Sequence, residues 1–489
     1  MSRELIPSDV GRVITSPEEV VPFTRDYTGR FTGSARCVVL PTETAQVSRL
    51  LRWCSANHVP VVAQGGNTGL AGGATPDVSG QAIVLSLTRM NQLRALDLAG
   101  NAVTVEAGMV LQRLQEIARD ASRFFPLSLG AQGSCTVGGN LSTNAGGTGV
   151  LRYGNMRELC LGLEVVTPAG EVLDGLRSLR KDNTGFDLRD LYIGAEGTLG
   201  IITAATLKLY PTPKARVTTW AALSSPAQAL DLLSLAQQAL GSDLTAFELM
   251  SDYCVGLVRQ KFPDTPKVFG NPFAWYVLME SSDQESEEHA TERFEALMAD
   301  ALEQGVVDDA AIAQSKAQSL EFWKTRERMG LSQPKNIKHD ISLPIGQIAD
   351  FIERMDQVIQ STYPDCRTVV LGHLGDGNLH YNVEPIRKLD EADFHALEKQ
   401  VHRTVYDEVE RLNGSMSAEH GIGAAKVDDL RRYKSGVALN LMRSIKQALD
   451  PQGILNPGKI LGAATQVTQA DLGLGGAFNP QGASVTSRF

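Results

Sequence analysis

The stretch Val369-Val370-Leu371-Gly372-His373-Leu374-Gly375-Asp376-Gly377-Asn378-Leu379-His380-Tyr381-Asn382-Val383 reads as two short strands joined at Asp376-Gly377. An Asp-Gly pair between alternating apolar residues is a strong hairpin signal, because a two-residue turn needs positive φ angles that glycine accepts. Folding there pairs Gly375 with Asn378, Leu374 with Leu379 and His373 with His380. Side chains alternate between the faces of a strand, so Asn378, His380 and Asn382 share one face and Leu379 points to the other. Two imidazoles opposite one another, with amides beside them, have the composition of part of a metal site. The alternative is two histidines satisfied by hydrogen bonds in an ordinary turn, since the spacing is not a fixed helical motif such as H-E-x-x-H.

Outward from the hairpin the chain alternates strands and helices without glycine loops. Trp220 to Leu223 and Phe273 to Met279 read as strands, and Ala227 to Leu240 and Glu285 to Glu303 as helices. Phe322 to Arg328 ends a helix, after which Lys338 and His339 stand in a predicted strand. Downstream, a long helix over Glu391 to Leu412 precedes Ser415-Met416-Ser417-Ala418-Glu419-His420-Gly421-Ile422-Gly423. The tail from Ala463, rich in Gly, Gln and Ser, reads as a strap or a mobile end.

The first two hundred residues have a different texture. Cys37 to Leu40, a helix with Val47, Leu50, Leu51 and Cys54 on one stripe, and Pro60 to Ala63 form a β-α-β crossover, with Thr42 placed to cap the helix. Gln64-Gly65-Gly66-Asn67-Thr68-Gly69-Leu70-Ala71-Gly72-Gly73 follows. Bare backbone amides at the end of a strand are the usual cradle for a phosphate, although this is neither a Rossmann fingerprint nor a P-loop and a surface turn is the plain alternative. A second stretch, Gly130 to Gly147, is predicted to be a structureless loop, and loops of that length inside a domain are usually functional. Two such stretches are what a long, phosphate-bearing ligand such as a dinucleotide requires. A third, Tyr192 to Ile202, leads into a strand over Ala205 to Tyr210, and Pro211-Thr212-Pro213 marks the first domain boundary.

Length and composition narrow the class. A chain of 489 residues with 43% hydrophobic and 21% charged residues is a multidomain globular protein. A net charge of −10 excludes a nucleic-acid partner that would need a basic footprint. No apolar run reaches membrane-spanning length. Six scattered cysteines without a C-x-x-C point to reduced thiols in a cytoplasmic protein.

Together, residues 64–73, the 130–149 loop, His373 to His380, Glu419-His420-Gly421-Ile422-Gly423 and Asn456-Pro457-Gly458-Lys459 resemble the FAD-linked D-2-hydroxy-acid dehydrogenases over roughly Arg36 to Leu461. The resemblance implies an α+β fold in three parts. These are a two-subdomain FAD-binding domain of the vanillyl-alcohol-oxidase type (1–213), an α+β substrate domain (214–412) and a C-terminal helical segment completing the active site (413–489). It implies FAD held by Gly65, Gly66, Asn67, Thr68 and Gly69, and by Gly133, Ser134, Gly138, Asn140, Asn144 and Ile202. Binding should be non-covalent, because the first loop has no histidine. It further implies a divalent metal, zinc first, on His373, His380 and Glu419, the composition of known catalytic zinc sites. His420 would act as base, and Arg326, Lys338 and Asn382 would hold the acid. Gly330 departs from the family pattern, where a threonine is expected. The implied reaction is oxidation of D-2-hydroxyglutarate, with D-lactate, D-malate or glycolate as alternatives. Electrons would pass to an acceptor such as an electron-transfer flavoprotein, and a homodimer fits the family. A flavin-free zinc hydrolase and a non-catalytic flavin module are the competing classes.

Overall fold

The computed structural model describes residues 6–462, so the Gly/Gln/Ser-rich tail from Ala463 lies outside the described residues. Cys37–Leu40 is an apolar, buried strand and Val61–Gln64 a largely buried one, and the helix Thr44–Ala56 between them buries Val47, Leu50, Leu51 and Cys54. Both strands run parallel to Ile83–Ser86, which lies between them, while Arg12–Ile14 closes the far edge antiparallel. Thr42 does not cap the helix. Its amide and hydroxyl both donate to Gln46 Oε1, and Glu43 takes the cap position.

A five-stranded antiparallel sheet follows, in the order Leu93–Asp97, Ala102–Glu106, Ile201–Lys208, Cys160–Val166, Val172–Asp174. It shares one hydrophobic core with the parallel sheet. The Gly130 to Gly147 stretch departs from the structureless loop read from the sequence, because it contains the helix Val137–Ser142. Thr136 caps it by accepting from Gly139 N, and Val137 and Leu141, one turn apart, are buried.

The remaining strands form a seven-stranded antiparallel sheet, in the order Asp309–Ile312, Ala215–Leu223, Trp275–Asp283, Leu244–Ser251, Cys366–Gly372, Asn378–Pro385, Asp340–Ser342. Strand alternation separates two cores. Ala221, Leu223, Val277, Met279 and Val370 pack with the helices Pro226–Leu240, Glu287–Glu303, Ile348–Thr362 and Glu391–Arg411. Trp220, Ala222, Tyr276, Leu278 and Val369 pack with Asp252–Lys261 and Lys316–Ser332. Lys338 and His339 precede the strand Asp340–Ser342 rather than standing in it.

The hairpin forms two residues out of the predicted register. Leu371 pairs with His380, and the ladder stops at Gly372. Leu374–Asp376 is a single 3-10 turn, and only Gly377, at φ 87, takes the left-handed conformation. A type I′ turn needs positive φ at both central residues, and Asp376 does not adopt it. The chain closes by joining both halves. Ser415 bridges to Ser342 in the large sheet, whereas Leu455 bridges to Val61 in the first.

Candidate active site

Gly65 to Gly69 leave the strand Val61–Gln64 and face Gly138, Asn140 and Ile202 across a cleft with ≈ 910 Å³ of empty space. A β-carbon on Gly65 would lie 2.2 Å from Thr136 Oγ1, and one on Gly66 1.9 Å from the Ser134 carbonyl oxygen. Bare backbone is therefore what lets the two glycine stretches meet. Asn67 takes φ 53 and donates through Nδ2 to Arg25 O at 2.8 Å. Among the described residues, the amide N–H groups of Gly65, Gly66, Asn67, Thr68 and Gly69 donate to no other group. Five successive free amides lining a cleft suit a pyrophosphate, and a cleft lined by two glycine stretches suits a dinucleotide.

Three expected residues fall outside that cleft. Ser134 supports Gly66 from behind through its carbonyl, and Gly133 lies against Gln112. Asn144 lines a second cavity instead, and its Oδ1 accepts from Arg157 N at 2.9 Å.

His420 also lines the glycine cleft and stands next to Glu419 in sequence. One ligand atom from each of His373, His380 and Glu419 lies within 4.8 Å of the others. The two imidazole centroids are 5.6 Å apart, and His373 Nε2 is 3.6 Å from Glu419 Oε1. The other nitrogen of His373, Nδ1, is 2.7 Å from Glu248 Oε1, so a buried carboxylate fixes which nitrogen faces the cluster.

Burial and neighbouring carboxyls dominate the electrostatics of the cluster. Burial pushes the Glu419 carboxyl up to about 7, with Asp340, Asp376 and Glu248 adding to the push against the pull of His373. Burial also lifts Asp376 to about 6. Burial disfavours the His373 cation, but the Glu248 carboxylate more than offsets this and raises it to about 9. His380 is pulled down to about 3 by burial. Two imidazoles and a carboxylate, crowded by further carboxyls, are a donor set that a divalent cation fits.

Asp340 organises the other side. Its Oδ2 accepts from the amides of Glu419 at 3.0 Å and His420 at 2.9 Å, and lies 3.3 Å from His420 Nδ1. Its Oδ1 accepts from Asn378 Nδ2 at 3.1 Å. Asp340, Glu419 and His420 also bring one ligand atom each within 4.8 Å of one another, with Asp340 already accepting from three donors. Burial lowers His420 below its ordinary value, outweighing the pull of Asp340, so its imidazole is neutral near pH 7.

Arg326 reaches the cluster but is already engaged. Its Nε and Nη2 both lie 2.8 Å from Glu248 Oε2, which leaves Nη1. Lys338 is exposed, makes no ion pair among the described residues, and is close enough to His420 to help lower it. Asn382 accepts from His339 N at 3.0 Å and donates to Gln333 Oε1 at 2.9 Å, so one donor position remains. A β-carbon at Gly330 would meet nothing within 4 Å, so the missing threonine leaves open space on the helix Lys316–Ser332.

Glu248, Asp340 and Glu196 were not singled out from the sequence. Glu248 interrupts the apolar strand Leu244–Ser251, and a lone acid in a buried run was the available signal. Asp340 sits between buried His339 and Ile341 with the same signature. Glu196 lies inside the third glycine segment, Tyr192 to Ile202, where only Ile202 carries an expected role.

A family model described as "FAD linked oxidases, C-terminal domain" matches residues 212–460, and one described as "FAD binding domain" matches 35–175. The D-2-hydroxyglutarate dehydrogenase, mitochondrial, of Bos taurus is 40% identical over 92% of this chain and 81% of its own length. The D-2-hydroxyglutarate dehydrogenase of Xanthomonas citri pv. viticola is 38% identical over 92% of this chain and 94% of its own. Among solved structures, substrate-bound p-cresol methylhydroxylase superposes with a TM-score of 0.72 at 14% identity, covering 92% of this chain and 94% of that one. The 4-ethylphenol oxidase from Gulosibacter chungangensis gives 0.70 at 17% identity over 93% and 95%. These two likenesses concern the fold, which is of the vanillyl-alcohol-oxidase type.

Proposed function

The chain belongs to the FAD-linked oxidases as an FAD-dependent D-2-hydroxy-acid dehydrogenase, and from that premise we propose that it oxidises D-2-hydroxyglutarate to 2-oxoglutarate. In this reading a divalent cation, zinc first, is held by His373, His380 and Glu419. The observation that carries the reading is the meeting of that cluster with His420, whose ring centroid lies 6.2 Å from that of His380 and which lines the glycine cleft. The relatives' printed names support the substrate.

When bound, FAD supplies the hydride acceptor and the cation supplies a Lewis acid for the substrate's hydroxyl and carboxylate. The protein's own residues do the rest. His420, neutral and with Nδ1 turned toward Asp340, presents Nε2 to take the hydroxyl proton as the C2 hydride departs. Lys338 and the free Nη1 of Arg326 supply two cationic donors, as a dicarboxylate requires. The free amides of Gly65 to Gly69 hold the pyrophosphate. Residues 1–213 would carry the flavin, 214–412 the acid-binding groups and 413–489 the Glu419-His420 pair. The six free cysteines, five of them buried, fit a reducing compartment, in our reading the cytoplasm.

The test is steady-state turnover of D-2-hydroxyglutarate, D-lactate, D-malate and glycolate with an artificial electron acceptor. Hydroxyglutarate should give the highest kcat/KM. A higher value for lactate would overturn the substrate.

A further inference from the structure

Residues 419–423 carry a proposed metal ligand and the proposed base, yet they belong to neither large sheet. Asp340 anchors the front of this loop from the seven-stranded sheet, through the amides of Glu419 and His420. The back is anchored from the opposite half of the molecule. Glu196 Oε1 accepts from Ile422 N at 2.7 Å, and its Oε2 accepts from Gly423 N at 2.8 Å. Two carboxylates thus hold four of the loop's amides, one pair from each half of the chain.

The surroundings of Glu196 are built for this contact. Its side chain is buried, and its backbone stands at φ 50, a conformation that a β-carbon disfavours. Its amide donates to Ser142 O, and its carbonyl accepts from Asn456 Nδ2, which also donates to Gly73 O. On the loop side, Gly421 stands at φ 73, and a β-carbon there would lie 2.6 Å from Glu196 Oε1. Gly423 stands at φ 52 with its β-position 2.1 Å from Ala71 O. The glycines admit the carboxylate, and the carboxylate fills the hydrogen-bonding need of a loop with no strand partner.

We propose that Glu196 is the positioning residue that fixes the Glu419-His420 loop against the flavin-binding half. This inference rests on the proposed function for the roles of Glu419 and His420. It assigns no chemistry to Glu196, which acts through the two amides it holds. Losing it removes the acceptors of Ile422 N and Gly423 N, while Asp340 still holds the front and Ala71 O still accepts from Ala424 N and Ala425 N, so the Glu419-His420 geometry loosens without the loop detaching.

The experiment compares wild type, E196Q and E196D as full chains loaded with FAD. It uses hydrogen–deuterium exchange and zinc titration against a chromogenic chelator. Gln places an amide donor where one of the two N–H groups needs an acceptor. Leaving a buried N–H without its acceptor is costly enough that exchange at Ile422 and Gly423 should rise at least about tenfold in E196Q. Removing an outer support of a ligand should weaken zinc binding about 10- to 100-fold, with flavin retained. E196D keeps the charge with a shorter reach, should fall between the two, and carries the comparison if E196Q does not accumulate as folded protein. Unchanged exchange at 422–423, a rise spread evenly along the chain, or wild-type zinc affinity would each overturn the inference. The exchange readout needs no substrate. A wild type inactive on every hydroxy acid would remove the proposed function and leave this result standing.

Discussion

His373 and Glu248 are 125 residues apart in sequence and 2.7 Å apart through Nδ1 and Oε1, deep in the protein. The same carboxylate takes two contacts from Arg326, so one buried acid serves a ligand and a substrate-side cation. Glu248→Gln should weaken zinc binding about 10- to 100-fold, measured by chelator competition. Glu248→Ala should also lower stability by about 3–5 kcal/mol in denaturant unfolding, because His373 is left buried and Arg326 half-buried without their shared partner.

Asp340 and His420 are the second pair. His420→Ala should lower kcat by about 10²- to 10⁴-fold, the usual contribution of a positioned base. Flavin and zinc content should stay at wild-type levels. Asp340→Asn keeps the shape but offers a donor where Glu419 N and His420 N need an acceptor. It should lower kcat with a smaller change in KM, read in steady-state kinetics.

Cation binding should be strongly pH-dependent. Glu419 is raised to about 7 and His373 to about 9, and both must be unprotonated to ligate. Zinc affinity should therefore climb with pH across that window, with proton release visible in calorimetry performed in buffers of different ionisation enthalpy. In zinc-free protein the sign for stability is the reverse. The raised His373 contributes fully below its ordinary value near 6.5, and its contribution is lost as pH rises through about 9. Thermal unfolding with and without zinc should show the two opposite trends.

The glycine cleft offers a steric contrast. Gly66→Ala would place a carbon 1.9 Å from the Ser134 carbonyl, whereas one at Gly69 meets nothing within 4 Å. Gly66→Ala should purify with little flavin. Gly69→Ala should keep its fold and most of its flavin, measured by absorbance after desalting.

Much of this architecture was legible because it is local. The Thr44–Ala56 helix and its flanking strands follow from apolar spacing, and the glycine runs announce their cleft by composition. The hairpin was legible in kind but displaced in register, since Asp376-Gly377 signals a turn without specifying which turn. His373 and His380 still meet, with ring centroids 5.6 Å apart, although they are not paired in the ladder. The helix Val137–Ser142 was hidden by its glycines, which argue against helix until a Thr cap and two buried apolar residues outweigh them. Glu248, Asp340 and Glu196 were out of reach for a different reason. Each is defined by partners dozens to hundreds of residues away, and no local pattern encodes those distances.

The most direct measurement is anaerobic mixing of the FAD-loaded protein with D-2-hydroxyglutarate while flavin absorbance is followed, before and after chelation. The account predicts rapid bleaching that chelation abolishes and added zinc restores. Bleaching that persists undiminished after the metal is removed, or a flavin that hydroxyglutarate leaves fully oxidised, would contradict it.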